Sequence, residues 1–417
     1  MNVLFLSAWY PVPADNGSKL RILNLIRSLS QRHNVTLITA VPPEWCDGPG
    51  SPAPPELSGL CERVEGVPWQ PHPAGGARRL ISFLVPLPEW VLVQAFPAMG
   101  RAIAREVRSG RYDLIVASEV GTAVYARQFG GVPALLDDLE LGAYCPSPGA
   151  SSPGLRRLPL RREMYWWKLR RAMPRLLRHF GACTVVSSVE RQLVEAVAPG
   201  YGPVAPQVIP NCVDVQGYRS VRVAPAPGTL VFSGSLTFPA NYEAVSWFLR
   251  EVYPLVCRQR PDVHLRITGK HGKLLLPIDR ADPRIVLTGF VQDVRPLIAG
   301  SWASIVPLRT GGGTRLKIVE AMALGTPVVS TSKGIEGLDI VPGEHALVAD
   351  EPSVFAEHVL RLLADPELRA RLAANGRRLV QDKYDWGQVG ARFVDLCERV
   401  ARHPGPNATQ DPKQSME

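Results

Sequence analysis

Residues 307–331 read PLRTGGGTRLKIVEAMALGTPVVST, and this stretch decides how the second half of the chain is interpreted. The apolar run that ends near Val306 predicts a strand, and the pattern from about Thr314 predicts a helix. Gly325-Thr326-Pro327 predicts a tight turn into a further strand at Val328–Ser330. Strand, glycine loop, helix and strand in this order are typical of a parallel α/β sheet.

The same stretch has the chemistry of an anion site. Gly311–Gly313 allow a ligand to approach the backbone closely, and the N–H groups of the following helix favour a group such as a diphosphate. We expect Arg315 and Lys317 to add two mobile cations, and Glu320 to accept hydrogen bonds from ribose hydroxyls. A glycine loop before a helix also occurs without any ligand. Here the loop, an Arg-x-Lys pair and a glutamate coincide, which favours a nucleotide.

The first half of the chain has the same alternation of elements. Val3–Ser7 predicts a strand, Asn16-Gly17-Ser18 a loop, Leu20–Leu29 a helix and Val35–Val41 a second strand. Residues 42–79 are rich in Pro and Gly and predict a long loop. Further strands are expected at Asp113–Ser118, Pro133–Asp137 and Thr184–Ser187.

The second half repeats the pattern after a Pro-rich stretch, Val223–Gly228, which we interpret as a linker. Tyr242–Cys257 predicts one amphipathic helix. Strands are expected at Thr229–Ser233, His264–Thr268, Ile285–Leu287, Ala303–Val306 and Leu347–Ala349, and helices at Lys317–Leu324, Pro352–Leu363 and Pro366–Lys383.

Together these elements predict an α/β fold of two Rossmann-like, doubly wound domains that face each other across a cleft. The predicted division is an N-terminal Rossmann-like domain over residues 1–210 and a C-terminal Rossmann-like domain over residues 211–385. A helix over residues 386–403 follows, with the hypothesis that it crosses back to the first domain. The polar tail 404–417 is expected to be disordered. Ligands in such sheets bind beyond the carboxyl ends of the strands.

Composition excludes several classes of protein. The 417 residues include seven Cys, none at C-x-x-C spacing, and scattered His, so we expect reduced thiols and neither a disulfide framework nor a metal site. The N-terminus predicts a strand rather than a signal peptide, and Leu80–Pro97 is too interrupted to span a bilayer. We therefore expect a soluble, cytoplasmic protein.

Positive charge is concentrated in one segment. The net charge is +9, and residues 154–180 hold nine Arg or Lys against one acid, Glu163. Because there is no broad basic face or stacking motif, no nucleic-acid binding is expected. The segment is either an interfacial helix that contacts anionic lipid or a surface helix that packs on the sheet. Its apolar stripe consists of Tyr165, Leu169, Ala172, Met173, Leu176, Leu177 and Phe180.

The string EAMALGTPVV at residues 320–329 resembles the donor-binding signature of glycosyltransferase family 4, whose members are retaining enzymes of the GT-B fold. Ser233-Gly234-Ser235-Leu236, Gly289-Phe290-Val291 and the strings 187–191 and 209–214 are also similar to that family. The resemblance covers about residues 1–400. It implies that donor-binding positions include Gly234, Ser235, Gly289, Phe290, Gly312, Gly313, Thr314, Leu316 and Glu320. Gly17 matches a position near the acceptor and the transferred group.

Two departures from the family pattern affect the expected chemistry. The family often has two glutamates with seven residues between them. Glu320 matches the second and Gly312 stands at the first, so the identity of the sugar does not carry over. The family also often has an Arg and a Lys after the first strand of the second domain, where this chain has Ser235 and Pro239-Ala240-Asn241. Our hypothesis is that Arg315 and Lys317 neutralise the leaving diphosphate instead.

The resemblance implies transfer of a sugar with retention, without a metal or other cofactor. The expected donor is a nucleotide sugar bound by the C-terminal domain, residues 211–385. The expected acceptor, bound by the N-terminal domain, residues 1–210, is a glycan, a lipid-linked glycan or a small molecule, as in polysaccharide biosynthesis. Asp138 or Glu140 either orients or deprotonates the acceptor hydroxyl, or is a solvated turn carboxylate. Lipid contact through residues 154–180 would make this a peripheral protein of the inner membrane face. The alternatives are a sugar-nucleotide epimerase of the same fold and a non-catalytic nucleotide-sugar-binding protein.

Overall fold

The computed structural model describes residues 1–42, 55–69, 96–141, 159–200, 205–272, 276 and 282–403, without the side chains of residues 55, 159–162 and 165. The chain divides into two compact units, Met1–Pro210 with Gly390–Glu417, and Asn211–Val389. Each unit is a parallel sheet with helices, so the predicted fold class is confirmed.

The first unit contains a sheet of seven described strands. They are β1 (Asn2–Ser7), β2 (Asn34–Val41), β3 (Arg63–Pro68), β4 (Leu114–Ser118), β5 (Ala134–Asp137), β6 (Ala182–Val185) and β7 (Gln207–Val208). Their order across the sheet is β3-β2-β1-β4-β5-β6-β7, and all the pairings are parallel. The order reverses between β1 and β4, and this is the switch point at which doubly wound sheets bind ligands.

Helices pack against this sheet because their apolar stripes follow helical spacing. On α1, Ile22, Leu25, Ile26 and Leu29 are buried at i, i+3, i+4 and i+7. The described helices are α1 (Gly17–Ser30), α2 (Pro55–Ser58), α3 (Pro97–Val107), α4 (Val120–Ala123), α5 (Pro159–Leu177) and α6 (Ser188–Val197).

The predicted long loop over residues 42–79 is wrong where the structure describes it. Helix α2 and strand β3 lie within it, and β3 pairs in parallel with β2 from Thr36↔Arg63 to Val41↔Pro68. The strand was missed because its sequence RVEGVP has few apolar residues and is bounded by Pro. Backbone pairing at the sheet edge, rather than the side-chain pattern, defines it.

The second unit contains a sheet of six described strands. They are β8 (Ala226–Ser233), β9 (His264–Thr268), β10 (Ile285–Gly289), β11 (Ser301–Val306), β12 (Val328–Ser330) and β13 (Leu347–Val348). Their order across the sheet is β10-β9-β8-β11-β12-β13, again with all pairings parallel. The helices are α7 (Val215–Arg219), α8 (Pro239–Trp247), α9 (Tyr253–Gln259), α10 (Arg295–Ala299), α11 (Leu316–Leu324), α12 (Ser332–Ile335), α13 (Pro352–Ala364) and α14 (Pro366–Lys383).

Two predictions in this half are wrong. The stretch Val223–Gly228 is not a linker, because β8 begins at Ala226 and the two units divide at Pro210. The single helix Tyr242–Cys257 is three segments, with a π-helical turn at Phe248–Val252 between α8 and α9. Pro254 lies in the first turn of α9, and its missing N–H explains why the α-helical ladder is interrupted there.

The last described helix, α15 (Trp386–Arg402), contributes its residues from Gly390 onward to the first unit. There Glu398 lies 2.7 Å from Arg32, just beyond the end of α1. A Cβ added at Gly390 would overlap the Ser28 hydroxyl of α1, so glycine permits the close approach of the two helices.

The basic helix α5 packs its apolar stripe into the first unit. Leu169, Met173 and Leu177 are fully buried in the core with Phe180, whereas Trp167 is 54% exposed. This is the packing expected of a surface helix. Residues 154–158 of the basic segment lie outside the described residues. Within the described part of the chain, no helix is both long and apolar enough to cross a bilayer.

Candidate functional site

Three neighbouring strands of the second unit end in glycines with positive φ. Gly234 (φ 141°), Gly269 (φ 112°) and Gly289 (φ 70°) lie at the carboxyl ends of β8, β9 and β10. A Cβ at Gly269 would lie 2.6 Å from the carbonyl of Gly234, so the backbones are in close contact. Glycine tolerates both the positive φ and the close backbone approach, and the sheet edge therefore carries no side chains at these three positions.

The glycine loop after β11 is held by a single side chain. The Arg315 guanidinium donates hydrogen bonds to the carbonyls of Gly311 (2.9 Å), Gly312 and Gly313 (2.6 Å). It is 6% exposed. The expectation of a mobile cation at Arg315 is therefore wrong, because the carbonyls that the glycine turn leaves without helical partners recruit the guanidinium.

The helix after this loop begins at Leu316, within one or two residues of the predicted starts at Thr314 and Lys317, with Arg315 as its N-cap residue. An arginine side chain has no acceptor, so it provides no side-chain cap for the first-turn N–H groups. The Thr314 hydroxyl oxygen is buried without a hydrogen-bond partner. Within this first turn the N–H groups of Leu316 and Ile318 donate to the carbonyls of Thr314 and Arg315, both at 2.9 Å. The unsatisfied Thr314 hydroxyl and the positive end of the helix dipole are therefore the features of this helix start that suit an anionic ligand.

Lys317 lies where the glycine loop meets the end of β8. Its Nζ is 2.8 Å from Oδ1 of Asn241 and 4.2 Å from the centre of the Phe232 ring. A Cβ at Gly234 would come within 2.8 Å of the same Nζ. Burial, and next the charge of Arg315, lower the pKa of the Lys317 ammonium to about 7. An anion bound beside it would favour the charged form.

Glu320, one turn further along α11, is held by a tyrosine. Its Oε1 accepts a hydrogen bond of 2.8 Å from the hydroxyl of Tyr218 on α7. Burial raises the pKa of the Glu320 carboxyl, and the Tyr218 bond and the Lys317 charge oppose that rise. The carboxylate is thereby fixed in orientation and keeps further acceptor sites.

The remaining predicted donor positions lie at the same strand ends. The Ser235 hydroxyl is 2.7 Å from that of Thr237 and bonds to the carbonyl of Lys270 at 3.1 Å. Phe290 is 60% exposed, with the Lys270 ammonium 5.3 Å from its ring centre. An exposed ring beside a cation is a surface on which a planar base can stack.

Sequence reasoning missed Asn241 and Tyr218 as contacts of this site. Asn241 was noted only for the absence of a lysine, and Tyr218 lies in a five-residue helix, α7, that the predicted elements omitted. A signal for Tyr218 was present in Asp214, whose side chain caps α7 through the Gly217 N–H.

The first unit has a buried charged network at the carboxyl end of its sheet. The Arg21 guanidinium bonds to both carboxylate oxygens of Asp137, at 2.9 and 2.6 Å, and to the Ile209 carbonyl at 2.7 Å. The Thr184 hydroxyl donates to Asp137 at 2.6 Å. Both members of the ion pair are essentially inaccessible. This network fixes the end of β5 directly before Asp138.

Asp138 and Glu140 lie beside this network. Asp138 has φ 60°, is 7% exposed, and its Oδ1 has no hydrogen-bond partner. Burial raises the pKa of the Asp138 carboxyl to about 6, because its effect is larger than the lowering caused by the positive charge of Arg21. Burial and the charge of Asp138 raise the pKa of Glu140 to about 8. Asp138 is buried and Glu140 is partly buried, so Asp138 is not the solvated turn carboxylate of the alternative interpretation.

Gly17 is not in a loop as predicted, because it is the first residue of α1, capped by Asn16 through a 3.0 Å bond to the Lys19 N–H. A Cβ at Gly17 would meet no atom within 4 Å. The structure therefore gives no internal packing reason for glycine at this position.

The fold and these strand-end sites define an α/β protein of the GT-B class. Residues 227–365, which contain the glycine loop, match the family model described as Glycosyl transferases group 1. Among solved structures, Anabaena HepE, determined in complex with UDP, is similar with a TM-score of 0.64 at 16% identity, over 96% of this chain and 100% of that one. Sucrose-phosphate synthase from Thermosynechococcus elongatus has a TM-score of 0.66 at 17% identity, over 96% and 99%.

Curated relatives agree with the family match. Phosphatidyl-myo-inositol mannosyltransferase of Mycobacterium leprae is 30% identical over 203 residues, which are 46% of this chain and 53% of that protein. An uncharacterized 44.6 kDa protein in the cps region of Klebsiella pneumoniae is 29% identical over 168 residues, 38% and 43% of the two chains. The chain thus spans about half the length of the curated relatives it matches.

Proposed function

We propose that this protein is a glycosyltransferase that moves a sugar from a nucleotide-sugar donor to an acceptor. The observation that carries the proposal is the contact between Lys317 and Asn241 beside the glycine loop, 2.8 Å between Nζ and Oδ1. This contact places one ammonium between the start of α11 and the end of β8, beside the positive-φ Gly234. That arrangement suits a diphosphate joined to a sugar and a nucleoside.

The donor is bound by the second unit in this proposal. The helix start and Lys317 bind the diphosphate, Glu320 accepts from ribose hydroxyls, and the base stacks on Phe290 near Gly289. Asn241 occupies the region where the resembled family has a lysine, and the Lys317 ammonium reaches it from α11. This contact supports the hypothesis that Lys317 supplies the missing charge. Arg315 acts by shaping the loop through the carbonyls of Gly311, Gly312 and Gly313.

The finer assignment is to glycosyltransferase family 4, with retention of anomeric configuration and without a metal or other cofactor. Departure of the diphosphate leaves charge on phosphate oxygens, and the helix N–H groups and Lys317 stabilise it. Transfer that continues in EDTA at an unchanged rate is the expected result. Loss of transfer in EDTA and its return with Mg²⁺ would contradict the metal-independent part of the proposal.

Acceptor activation is assigned to Asp138, with Glu140 as its neighbour. Because the pKa of the Asp138 carboxyl is about 6, this group can take up and release a proton near neutral pH, as a general base must. Asp138→Asn should lower the turnover number by about 10²-fold or more, with nucleotide-sugar affinity unchanged. Glu163→Gln on the basic helix is the matched control. Equal turnover in Asp138→Asn and Glu163→Gln would remove Asp138 from the reaction.

The acceptor class proposed is a glycan, free or lipid-linked, as in polysaccharide biosynthesis at the cytoplasmic membrane face. The exposed Trp167 and the arginines of α5 support contact with anionic lipid, since the apolar stripe itself is buried. Co-sedimentation with vesicles containing phosphatidylglycerol should decrease with salt. Absence of co-sedimentation at low salt would restrict the acceptor to a soluble one.

The decisive experiment is incubation of the purified protein with UDP-, GDP- and ADP-sugars, followed by analysis of nucleotide and sugar products. Release of nucleoside diphosphate, with or without an added acceptor, supports the glycosyltransferase. An isomerised nucleotide sugar would instead indicate an epimerase. Thermal stabilisation by a nucleotide sugar without any turnover would indicate a non-catalytic binding protein.

A further inference from the structure

An exposed tryptophan lies at the switch point of the first unit. Trp9 follows β1 and is 49% exposed. Its backbone is fixed by Ser7, whose hydroxyl accepts from the Trp9 N–H at 3.0 Å and donates to its carbonyl at 2.6 Å. A single exposed aromatic ring is common on protein surfaces, so the informative feature of this position is how the residue is held in place.

A carboxylate holds the indole ring in place. The Trp9 Nε1–H donates to Oε2 of Glu119 at 2.8 Å, and Glu119 directly follows β4, the strand next to β1. Glu119 adopts φ 64° and ψ 163°, which is a strained conformation for a residue with a side chain. The aromatic face and the carboxylate are thus preorganised on adjacent strand ends.

Unsatisfied polar atoms lie on the same edge. Oγ of Ser118 and Oδ1 of Asp138 are buried without hydrogen-bond partners, in side chains that are 1% and 7% exposed. Glu119 and Asp138 are also the non-glycine residues with positive φ in the described part of the chain. Buried polar atoms are normally satisfied, so this edge is built to receive hydroxyl donors.

We propose that the Trp9 indole face and the Glu119 carboxylate form a subsite for a neutral pyranose ring of a glycan acceptor. The C–H face of a pyranose packs on an aromatic ring, while its hydroxyls donate to carboxylate oxygens. An acidic sugar would add negative charge beside Glu119 and Asp138, and it is disfavoured above neutral pH, where both carboxyls are ionised. The inference rests on the proposed transferase function, to which it adds the chemistry of the acceptor.

The test uses the full-length protein and nucleotide-free sugars. Saturation-transfer NMR is recorded with the methyl glycosides of glucose, galactose, mannose and N-acetylglucosamine, and with methyl glucuronide as the acidic counterpart. We expect at least one neutral glycoside to receive saturation and the glucuronide to receive none. Trp9→Ala should weaken that binding by about tenfold, Trp9→Phe should restore part of it, and Glu119→Gln should also weaken it. Trp167→Ala is the matched exposed-tryptophan control and should bind as the unsubstituted protein does.

The proposal is overturned if no glycoside is saturated although a nucleotide sugar raises the melting temperature, or if Trp9→Ala and Trp167→Ala bind equally well. It is also overturned if glucuronide binds as well as the neutral sugars. If glycosides bind through Trp9 but no nucleotide sugar binds or reacts, the subsite stands and the transferase function fails. The two failures are therefore distinguishable.

Discussion

Raising the pH from 6 to 8 should weaken nucleotide-sugar binding about tenfold through Lys317. Burial lowers the pKa of this ammonium to about 7 in the ligand-free protein. A bound diphosphate favours the charged form and moves that pKa upward, so binding takes up a proton above pH 7. With the lysine ionised at pH 6 and one-tenth ionised at pH 8, the affinity differs by about tenfold, or ~1.4 kcal/mol.

The assay is isothermal titration calorimetry of a nucleotide sugar between pH 6 and 8.5. Both phosphates of the diphosphate diester stay ionised over this range, so the charge of the ligand does not change and the titration reports on the protein. Lys317→Met should bind about 10- to 100-fold more weakly at pH 6, the loss of one charge-assisted hydrogen bond. Its affinity should not vary with pH. Lys383→Met, an exposed lysine paired with Asp339 in the same unit, should retain the pH dependence of the unsubstituted protein.

Stability provides an independent control because its pH dependence has the opposite sign. The folded-state pKa of Lys317 is below its unfolded value, so the unfolded chain holds more protons between pH 7 and the ordinary lysine range. The free energy of unfolding therefore rises with pH in that window while affinity falls. An affinity that is constant between pH 6 and 8, or one equally pH-dependent in Lys317→Met, would refute the assignment of the phosphate charge to Lys317.

Four other substitutions test the structure. Arg21→Met leaves Asp137 buried without its partner and should lower the free energy of unfolding by about 3–5 kcal/mol, measured by urea denaturation, whereas an unchanged midpoint would contradict the buried ion pair. Gly325→Ala forces a side chain toward Arg377 at φ 74° and should cost about 1–3 kcal/mol, with a matching fall in melting temperature. Gly17→Ala should keep or raise stability, by up to about 1 kcal/mol, yet reduce transfer; full activity would show that nothing approaches this position. Arg315→Lys keeps the charge but not the three-carbonyl contact and should raise KM for the donor about tenfold, and an unaltered KM would assign the residue a charge role only.

Local pattern predicted most of the sheet strands, because both sheets are parallel and their central strands are continuous apolar runs. It failed at β3, where edge pairing compensates for a weakly apolar sequence. It also failed over Tyr242–Cys257, where Pro254 interrupts a helix whose apolar spacing is otherwise regular. The sequence therefore predicted the central strands of the sheets better than the edge strand β3 or the break within the helix at Tyr242–Cys257.

For the candidate site, the sequence singled out Arg315, Lys317 and Glu320 but gave no sign of the residues that contact them. Arg315 and Lys317 lie in one motif, yet one is fixed on loop carbonyls and the other bonds Asn241, 76 positions away in the chain. Such long-range contacts have no local signature. The Trp9–Glu119 pair, separated by 110 positions, was missed for the same reason. Neither residue belongs to a motif, and only the sheet order brings them together.

The contact of Arg315 with Gly311, Gly312 and Gly313 has a consequence for the sign of charge that the loop accepts. In a planar trans peptide the N–H points away from the C=O. With these carbonyls turned toward the guanidinium, the amide hydrogens of the same peptide units point in the opposite direction. The loop therefore presents donors on one side and has its acceptors neutralised on the other. Because this arrangement of donors and acceptors belongs to the backbone, we expect it to survive most side-chain substitutions in the loop. It should be lost when Arg315, which orients the peptide units, is replaced.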